Sequence, residues 1–226
     1  AAGATVVEAP WRGFAAQRNI ALDHATGDWI LEIDADERVT PELRAEIERF
    51  LADPPANVTL CGLPLRDIFL GQPLDASAKY PKYRHRLFRR GAFRHDEGRT
   101  VHEGIDPCVP VHPFTGDLVH LLADSWREAV ADAWRYGRLE TLQLAPASPP
   151  RIAANALARP AVKLVYRMTV GGGWRDGWRG LAKVALECAS DAVAWLGLLA
   201  PASRRAAAPP PRPSDGAGRR DASAPP

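Results

Sequence analysis

The densest apolar run early in the chain, Trp29-Ile-Leu-Glu-Ile33, stops abruptly in three carboxylates, Asp34, Asp36 and Glu37. A run that is apolar at nearly every position is the pattern of a parallel strand covered on both faces. On that reading Trp29–Ile33 is a central strand, and its acids fall at the strand end where open α/β sheets bind ligands. Before it, Thr5-Val-Val7 reads as a short strand and Ala9–Gly13 as a loop. Residues 14–25 read as a helix offering Phe14, Ile20 and Leu22 to the core, with Gly27 placed for a left-handed cap. After it, Thr40 caps a helix whose first position is Pro41, and Leu43, Ile47, Phe50 and Leu51 follow at helical spacing up to Asp53-Pro-Pro. Val58–Leu65 reads as a strand and Tyr83–Phe93 as a hairpin turning at Arg90-Gly91. Ser125 and Glu128 form a capping box for a helix that runs through Trp134.

Ala145-Pro-Ala-Ser-Pro-Pro150 punctuates the chain as a boundary between residues 1–150 and a helical region over 151–200. In that region Trp174, Trp178, Leu181, Ala185, Cys188, Ala192, Trp195 and Leu199 recur in steps of four and three, one seam of a helix, with Arg175, Arg179 and Lys183 beside it. Gly171–Gly173 precedes it as a hinge. Residues 201–226 are rich in Ala, Pro, Arg, Ser and Gly and lack large apolar side chains, so they read as a disordered tail.

The net charge of +2 conceals an asymmetry. Residues 1–150 carry 17 Lys or Arg against 22 Asp or Glu, a balance of −5, whereas 151–226 carry 12 against 5, a balance of +7. A basic region of this kind suits an anionic surface. It suits nucleic acid less, because the cations are interleaved with a Trp seam instead of lining an exposed groove. Cys61, Cys108 and Cys188 are odd in number and far apart, which excludes a disulfide framework or a CxxC zinc site and fits buried thiols in a reducing compartment. No apolar run reaches the ~18–20 residues of a membrane span.

Chemistry concentrates in Asp34-Ala-Asp36. Two carboxylates around one point suit Mg²⁺ or Mn²⁺ shared with substrate phosphates. The alternative is a solvated turn facing the positive end of the following helix. Arg86, Arg89 and Arg90 make a basic cluster suited to phosphate, or else a solvated strand face.

Trp11-Arg-Gly-Phe-Ala-Ala-Gln-Arg-Asn19, Ala21-Leu22 and Gly27–Val39 together resemble the family 2 glycosyltransferases, and within them the bacterial subgroup that adds a glucose-type residue to the lipopolysaccharide inner core. The resemblance continues through Arg86–Arg90, Val101-His-Glu103, Leu118-Val-His120 and residues 173–181, and covers roughly residues 3–199. It implies a GT-A type α/β fold, a nucleotide-sugar donor, a divalent metal and inversion at the anomeric carbon. By position, Asp36 matches the metal contact, with Asp34 at the metal or the donor. Gln17, Arg18 and Asn19 match the helix that supports the donor pocket, by touching the nucleotide or by bracing the acidic loop. Glu103 matches the general base, with Asp96 and Glu97 as competitors and a surface pair with Arg99 as the structural alternative. His120 is a further candidate metal or diphosphate ligand, or a satisfied rim histidine. Arg86 and Arg89 match a grip on the donor diphosphate or an acceptor phosphate. Family members begin with a base-binding strand and loop and a second strand ending in Asp. Both are missing here, so the chain reads as an N-terminally truncated member.

The expected function is transfer of a hexose, glucose-type, from a UDP-linked sugar to a lipopolysaccharide-core or similar glycolipid. The expected place is the inner face of the bacterial cytoplasmic membrane, with the basic helix on anionic lipid, packed on the catalytic domain or dimerised. The alternatives are a non-catalytic remnant that keeps acceptor or membrane binding, and a metal-dependent phosphohydrolase.

Overall fold

The computed structural model describes residues 3–97 and 109–201. In chain order these form α1 (Phe14–His24), β1 (Trp29–Leu31), β2 (Glu37–Val39), α2 (Pro41–Ala52), β3 (Leu60–Phe69), β4 (Gln72–Pro73), β5 (Lys82–Arg89), β6 (Val111–Pro113), β7 (Leu118–Ala123), α3 (Trp126–Thr141), α4 (Pro149–Met168), a 3₁₀ turn (Gly173–Asp176) and α5 (Gly177–Gly197). The fold is mixed α/β. Its strands hydrogen-bond in the order β1-β5-β3-β7-β2, with β4 and β6 also paired to β3. The chain divides into two compact units: Ala1–Ile33 with Val39–Leu65 and Lys82–Leu118, and Asp34–Arg38 with Arg66–Pro81 and Val119–Pro226.

In the first unit the core is Leu43 and Ile47 of α2, Cys61, Leu63 and Leu65 of β3, Leu87 of β5, Phe114 and Leu118, with Trp29, Leu31 and Phe50 packed around it. Helix α2 forms as its sequence requires. Thr40 Oγ1 accepts the Leu43 N–H at 3.2 Å and donates to the Asp117 carbonyl at 2.9 Å, so one hydroxyl caps the helix and ties it to the loop before β7. Glu46 on the same helix accepts the N–H groups of Thr115 and Gly116. Gly116 lies so close to α2 that an added Cβ would sit 2.5 Å from Leu43 Cα.

In the second unit α5 packs against both α3 and α4. Ser125 caps α3 by accepting the Glu128 N–H at 3.2 Å, and Glu128 answers by accepting from Asp124 N–H at 3.0 Å. Phe69, Leu74, Ala78, Ala123 and Ala129 form one core cluster here, and Ile152, Ala156, Trp195 and Leu198 another.

Several sequence expectations are corrected. Strand β1 is not a parallel central strand: it lies at one end of the sheet order and pairs antiparallel with β5, with Trp29 opposite Arg89 and Leu31 opposite Leu87. Its three residues are only half-buried, so the apolar run marks one packed face and a partly covered second one. The expected hairpin at Tyr83–Phe93 is a single strand, because β1 and β3 occupy both edges of β5. Thr5–Val7 is exposed and is not a strand. Helix α1 ends at Ala25 in an extended conformation without a left-handed glycine, and it buries Ala15, Ala16 and Asn19 while Phe14, Ile20 and Leu22 stay half-buried. The seam on α5 is split: Cys188 and Trp195 are buried, but Trp178, Leu181 and Ala185 are exposed. The buried face runs instead through Gly180, Val184, Cys188, Trp195 and Leu198. Residues 202–226, expected to form a tail, lie outside the described residues.

Candidate functional site

The acidic turn belongs to the second unit, and a buried carboxylate organises it. Glu37 is 4% exposed and accepts the Asp34 N–H through Oε2 at 2.9 Å, while the Glu37 N–H donates to the Asp34 carbonyl at 3.0 Å. This pair of bonds closes Asp34–Glu37 into a tight turn and leaves the Asp36 side chain turned outward, 48% exposed. The third acid of the motif is thus its brace. The backbone of Asp36 is fixed in turn by β7, whose Leu121 N–H donates to the Asp36 carbonyl at 2.9 Å.

The same strand delivers His120. Its Nδ1 lies 2.8 Å from Oδ1 of Asp67 on β3, and its Nε2 faces Oδ2 of Asp36 at 3.7 Å, an ion-pair distance rather than a hydrogen bond. Burial alone would push the His120 pKa down, but its two carboxylate neighbours outweigh burial and push it up to about 9. Without a metal, His120 is therefore an imidazolium between two carboxylates. Asp132 of α3 senses the same field: partial burial raises its pKa, Arg135 opposes, and the charges of Glu128 and Asp36 add to the rise.

This donor set fits a hard divalent cation in part. Asp36 supplies oxygen, and His120 supplies nitrogen once its proton is displaced. Asp67 stands behind the imidazole as the carboxylate partner that commonly orients a metal-binding histidine. Among the described residues no group of three His, Cys, Asp or Glu gathers into a complete metal cage. A cation held by Asp36 and His120 would fill its other positions with water and phosphate oxygen, as Mg²⁺ and Mn²⁺ do at phosphate sites.

The expected donor-side residues form a separate network in the first unit, centred on Glu32. The Glu32 carboxylate receives Arg18, Arg86 at 3.0 Å and His95 Nε2 at 2.8 Å. Asn19 is clamped to the His95 backbone, accepting its N–H at 2.9 Å and donating to its carbonyl at 3.0 Å, and it also donates to Glu97 at 2.9 Å. Gln17 donates to the Pro10 carbonyl at 2.6 Å. Arg89 is not brought together with Arg86. Its Nε donates to the Val58 carbonyl at 3.0 Å and its guanidinium lies over the Trp29 ring at 4.9 Å. Strand alternation explains the separation, since residues three apart point to opposite faces. Arg90 donates to the Gly27 carbonyl, and Asp96 is exposed beside this network. Glu103, Arg99 and Cys108 lie outside the described residues.

Asp67, Glu32 and Glu37 were missed as partners in the sequence. A signal did exist for two of them: Glu32 and Asp67 each interrupt an apolar strand run, and a charge in such a run is buried only with partners.

Residues 2–104 match the family model described as glycosyl transferase family 2. Over 177 residues the chain is 31% identical to the lipopolysaccharide core biosynthesis glycosyltransferase LpsC of Rhizobium meliloti, covering 76% of this chain and 63% of that protein. It is also similar to an uncharacterised glycosyltransferase of Rickettsia felis, 46% identical over 50 residues, covering 22% of this chain and 18% of the relative. A third relative, from Rickettsia bellii, is 48% identical over 50 residues, covering 22% and 17%.

Proposed function

We propose that the chain carries a family 2 glycosyltransferase domain, a reading supported by the family match over residues 2–104, and that the protein is a metal-dependent inverting glycosyltransferase of cell-envelope glycolipid synthesis. It transfers a hexose from a nucleotide sugar, UDP-linked, to a lipopolysaccharide-core-type acceptor at the inner face of the cytoplasmic membrane. The name of the Rhizobium relative supports the acceptor class. The observation that carries the reading is the meeting of Asp36, on the tight turn braced by Glu37, with His120 of β7 and Asp67 of β3.

Asp36 and His120 are the residues assigned to hold the divalent cation, with Asp34 beside them for the metal or the donor. A cation held there would supply positive charge to offset that of the departing diphosphate. Asp67 keeps the His120 ring oriented through its hydrogen bond to Nδ1. Glu103 is assigned the general base. It takes the proton of the acceptor hydroxyl as that oxygen bonds to the anomeric carbon and the bond from that carbon to the diphosphate oxygen breaks. Attack from the opposite face inverts the centre. Arg18, Arg86 and Asn19 act here as the brace of the donor side, through Glu32 and His95.

Titration calorimetry with UDP-glucose, with and without Mn²⁺, tests the reading. The protein is expected to give a metal-dependent heat that Asp36→Ala and His120→Ala lose. Glu103→Gln is expected to bind the donor normally and to transfer nothing, since it removes a group that acts only in the chemical step. A metal-independent or absent heat in the unaltered protein would favour a non-catalytic remnant, and full turnover by Glu103→Gln would remove that residue from the mechanism. Release of phosphate without acceptor would point to a phosphohydrolase.

A further inference from the structure

Helix α4 buries Ile152 and Ala156 near its start, but its later turns are amphipathic in the wrong sense for a helix packed on a protein core. Two charged side chains there turn inward: Lys163 pairs with Asp191 at 3.0 Å and Arg167 with Glu187 at 3.2 Å, both on α5, while Arg151 and Arg159 are exposed. Most of the apolar side chains of these turns face outward. Leu157, Val162, Val165 and Tyr166, with Val170 just past the helix end, are between 53% and 76% exposed. Isolated exposed apolar residues need no explanation, but positions 162, 165, 166 and 170 follow helical spacing and share one face. Ala161 and Thr169, also exposed, extend that face, and the exposed Arg159, three residues before Val162, adds a cation to it. Next along the chain come Trp174 of the 3₁₀ turn, 65% exposed, and Trp178 at the start of α5, 54% exposed, which stacks on the Trp126 ring at 5.9 Å and carries the Arg179 guanidinium over its own ring at 4.4 Å.

Charge around this face has one sign. From Thr141 to Arg175 the chain contains no Asp or Glu and five Lys or Arg, of which Arg151, Arg159 and Arg175 are exposed. We propose that the outer face of α4, with Trp174 and Trp178, is a membrane-docking surface that lies flat on anionic lipid. The apolar side chains enter the boundary between headgroups and acyl chains, the indoles sit at headgroup level, and the arginines meet lipid phosphates. At 20 residues α4 is about 30 Å long. No described helix is long and apolar enough to cross a membrane, so the face lies on the bilayer rather than through it. A second copy of the chain fits less well. A self-complementary contact would press Arg151, Arg159 and Arg175 toward their own equivalents, and residues 141–175 have no carboxylate to answer them.

The inference does not depend on transferase chemistry, and its test reads lipid binding alone. The full chain is co-sedimented with phosphatidylcholine vesicles and with vesicles containing about one third phosphatidylglycerol, at low and raised salt. Binding is expected on the anionic vesicles, weakening with salt, and roughly tenfold or more weaker on neutral ones. The combined variant Val162→Ser, Val165→Ser, Tyr166→Ser is expected to weaken binding by about tenfold or more with an unchanged circular dichroism spectrum. If that variant fails to fold, Arg151→Glu with Arg175→Glu tests the same surface through its charge. The proposal is overturned if the unaltered protein binds no vesicles or binds both kinds equally, or if a folded variant binds as well as the unaltered chain. It is also overturned if the unaltered protein is a dimer that the serine variant dissolves.

Discussion

Asp176 ends the 3₁₀ turn before α5 and accepts four hydrogen bonds from three consecutive residues. The N–H groups of Asp75 and Ala76 lie 3.2 Å from its Oδ1, while the N–H and hydroxyl of Ser77 lie 2.7 and 2.5 Å from its Oδ2. Replacing Asp176 with alanine leaves all four donors unmatched. The two long bonds reach a partly exposed stretch where water can replace them. The two to Ser77 cannot be replaced so easily, because Ser77 is 0% exposed. Hydrogen bonds to a charged group are worth about 1.5–3 kcal/mol each, and they share one carboxylate and do not add in full, so Asp176→Ala should cost about 3 kcal/mol. Asp176→Asn keeps one acceptor oxygen and should cost about 2 kcal/mol. The pH dependence has a definite sign. Partial burial works to raise the Asp176 pKa, but the bonds from Ser77, Asp75 and Ala76 outweigh it and hold the carboxyl below its ordinary value. A depressed carboxylate contributes its full stability above about pH 4 and loses it as pH falls through the lowered folded value. Urea unfolding of the unaltered protein and Asp176→Ala at pH 7 and pH 3 measures both. The gap between them should be about 3 kcal/mol at pH 7 and smaller at pH 3. A gap below about 1 kcal/mol at pH 7, or one that does not shrink in acid, would refute the reasoning.

Gly116→Ala drives a Cβ to 2.5 Å from the backbone N and Cα of Leu43, so it should destabilise the chain by about 3 kcal/mol, read as a lowered urea midpoint. Burial pushes the Cys61 thiol up to about 12, so iodoacetamide at pH 8 should leave Cys61 unmodified in the native protein and alkylate it only after unfolding, as mass spectrometry will read. In chelator-treated protein the His120 imidazole should titrate near 9 by NMR, against about 6.5 in a free histidine. Its ion pairs then stabilise the fold fully below about pH 6.5 and are lost as pH rises through the folded value, and His120→Asn should flatten that slope. Equal slopes for the two proteins would show that His120 carries no such pair.

The parts of this protein legible in its sequence are those settled within one turn of chain. Thr40 before Pro41 and Ser125 before Glu128 start helices because the cap satisfies backbone N–H groups two or three residues away, whatever the rest of the molecule does. The acidic turn was legible for the same reason, since Asp34, Asp36 and Glu37 are close neighbours. What those acids meet was not. Asp67 and His120 reach Asp36 only because β3 and β7 carry them to one place, and Glu32 became the hub of Arg18, Arg86 and His95 through contacts up to 63 residues apart.

The misread elements share one physical cause. An apolar run states that a segment will be covered, but not by what. Trp29–Leu31 is covered through antiparallel pairing with β5, whose second edge is taken by β3, so the same pairing removed the expected hairpin. Helix α5 carries more apolar positions than one face can hold, and its packing between α3 and α4 decided which are buried. Gly137 lets α3 approach so closely that an added Cβ would meet the Ser190 carbonyl, and Thr141 donates across the same contact to the Ala194 carbonyl at 3.0 Å. With Lys163 and Arg167 drawn inward to Asp191 and Glu187, the apolar side of α4 was left outside. Sequence alone determined the helix starts and the acidic turn. Tertiary structure decided which carboxylate faces outward and which is brace, and which helix turns its apolar face outward, because burial and ion pairing depend on partners that are distant along the chain.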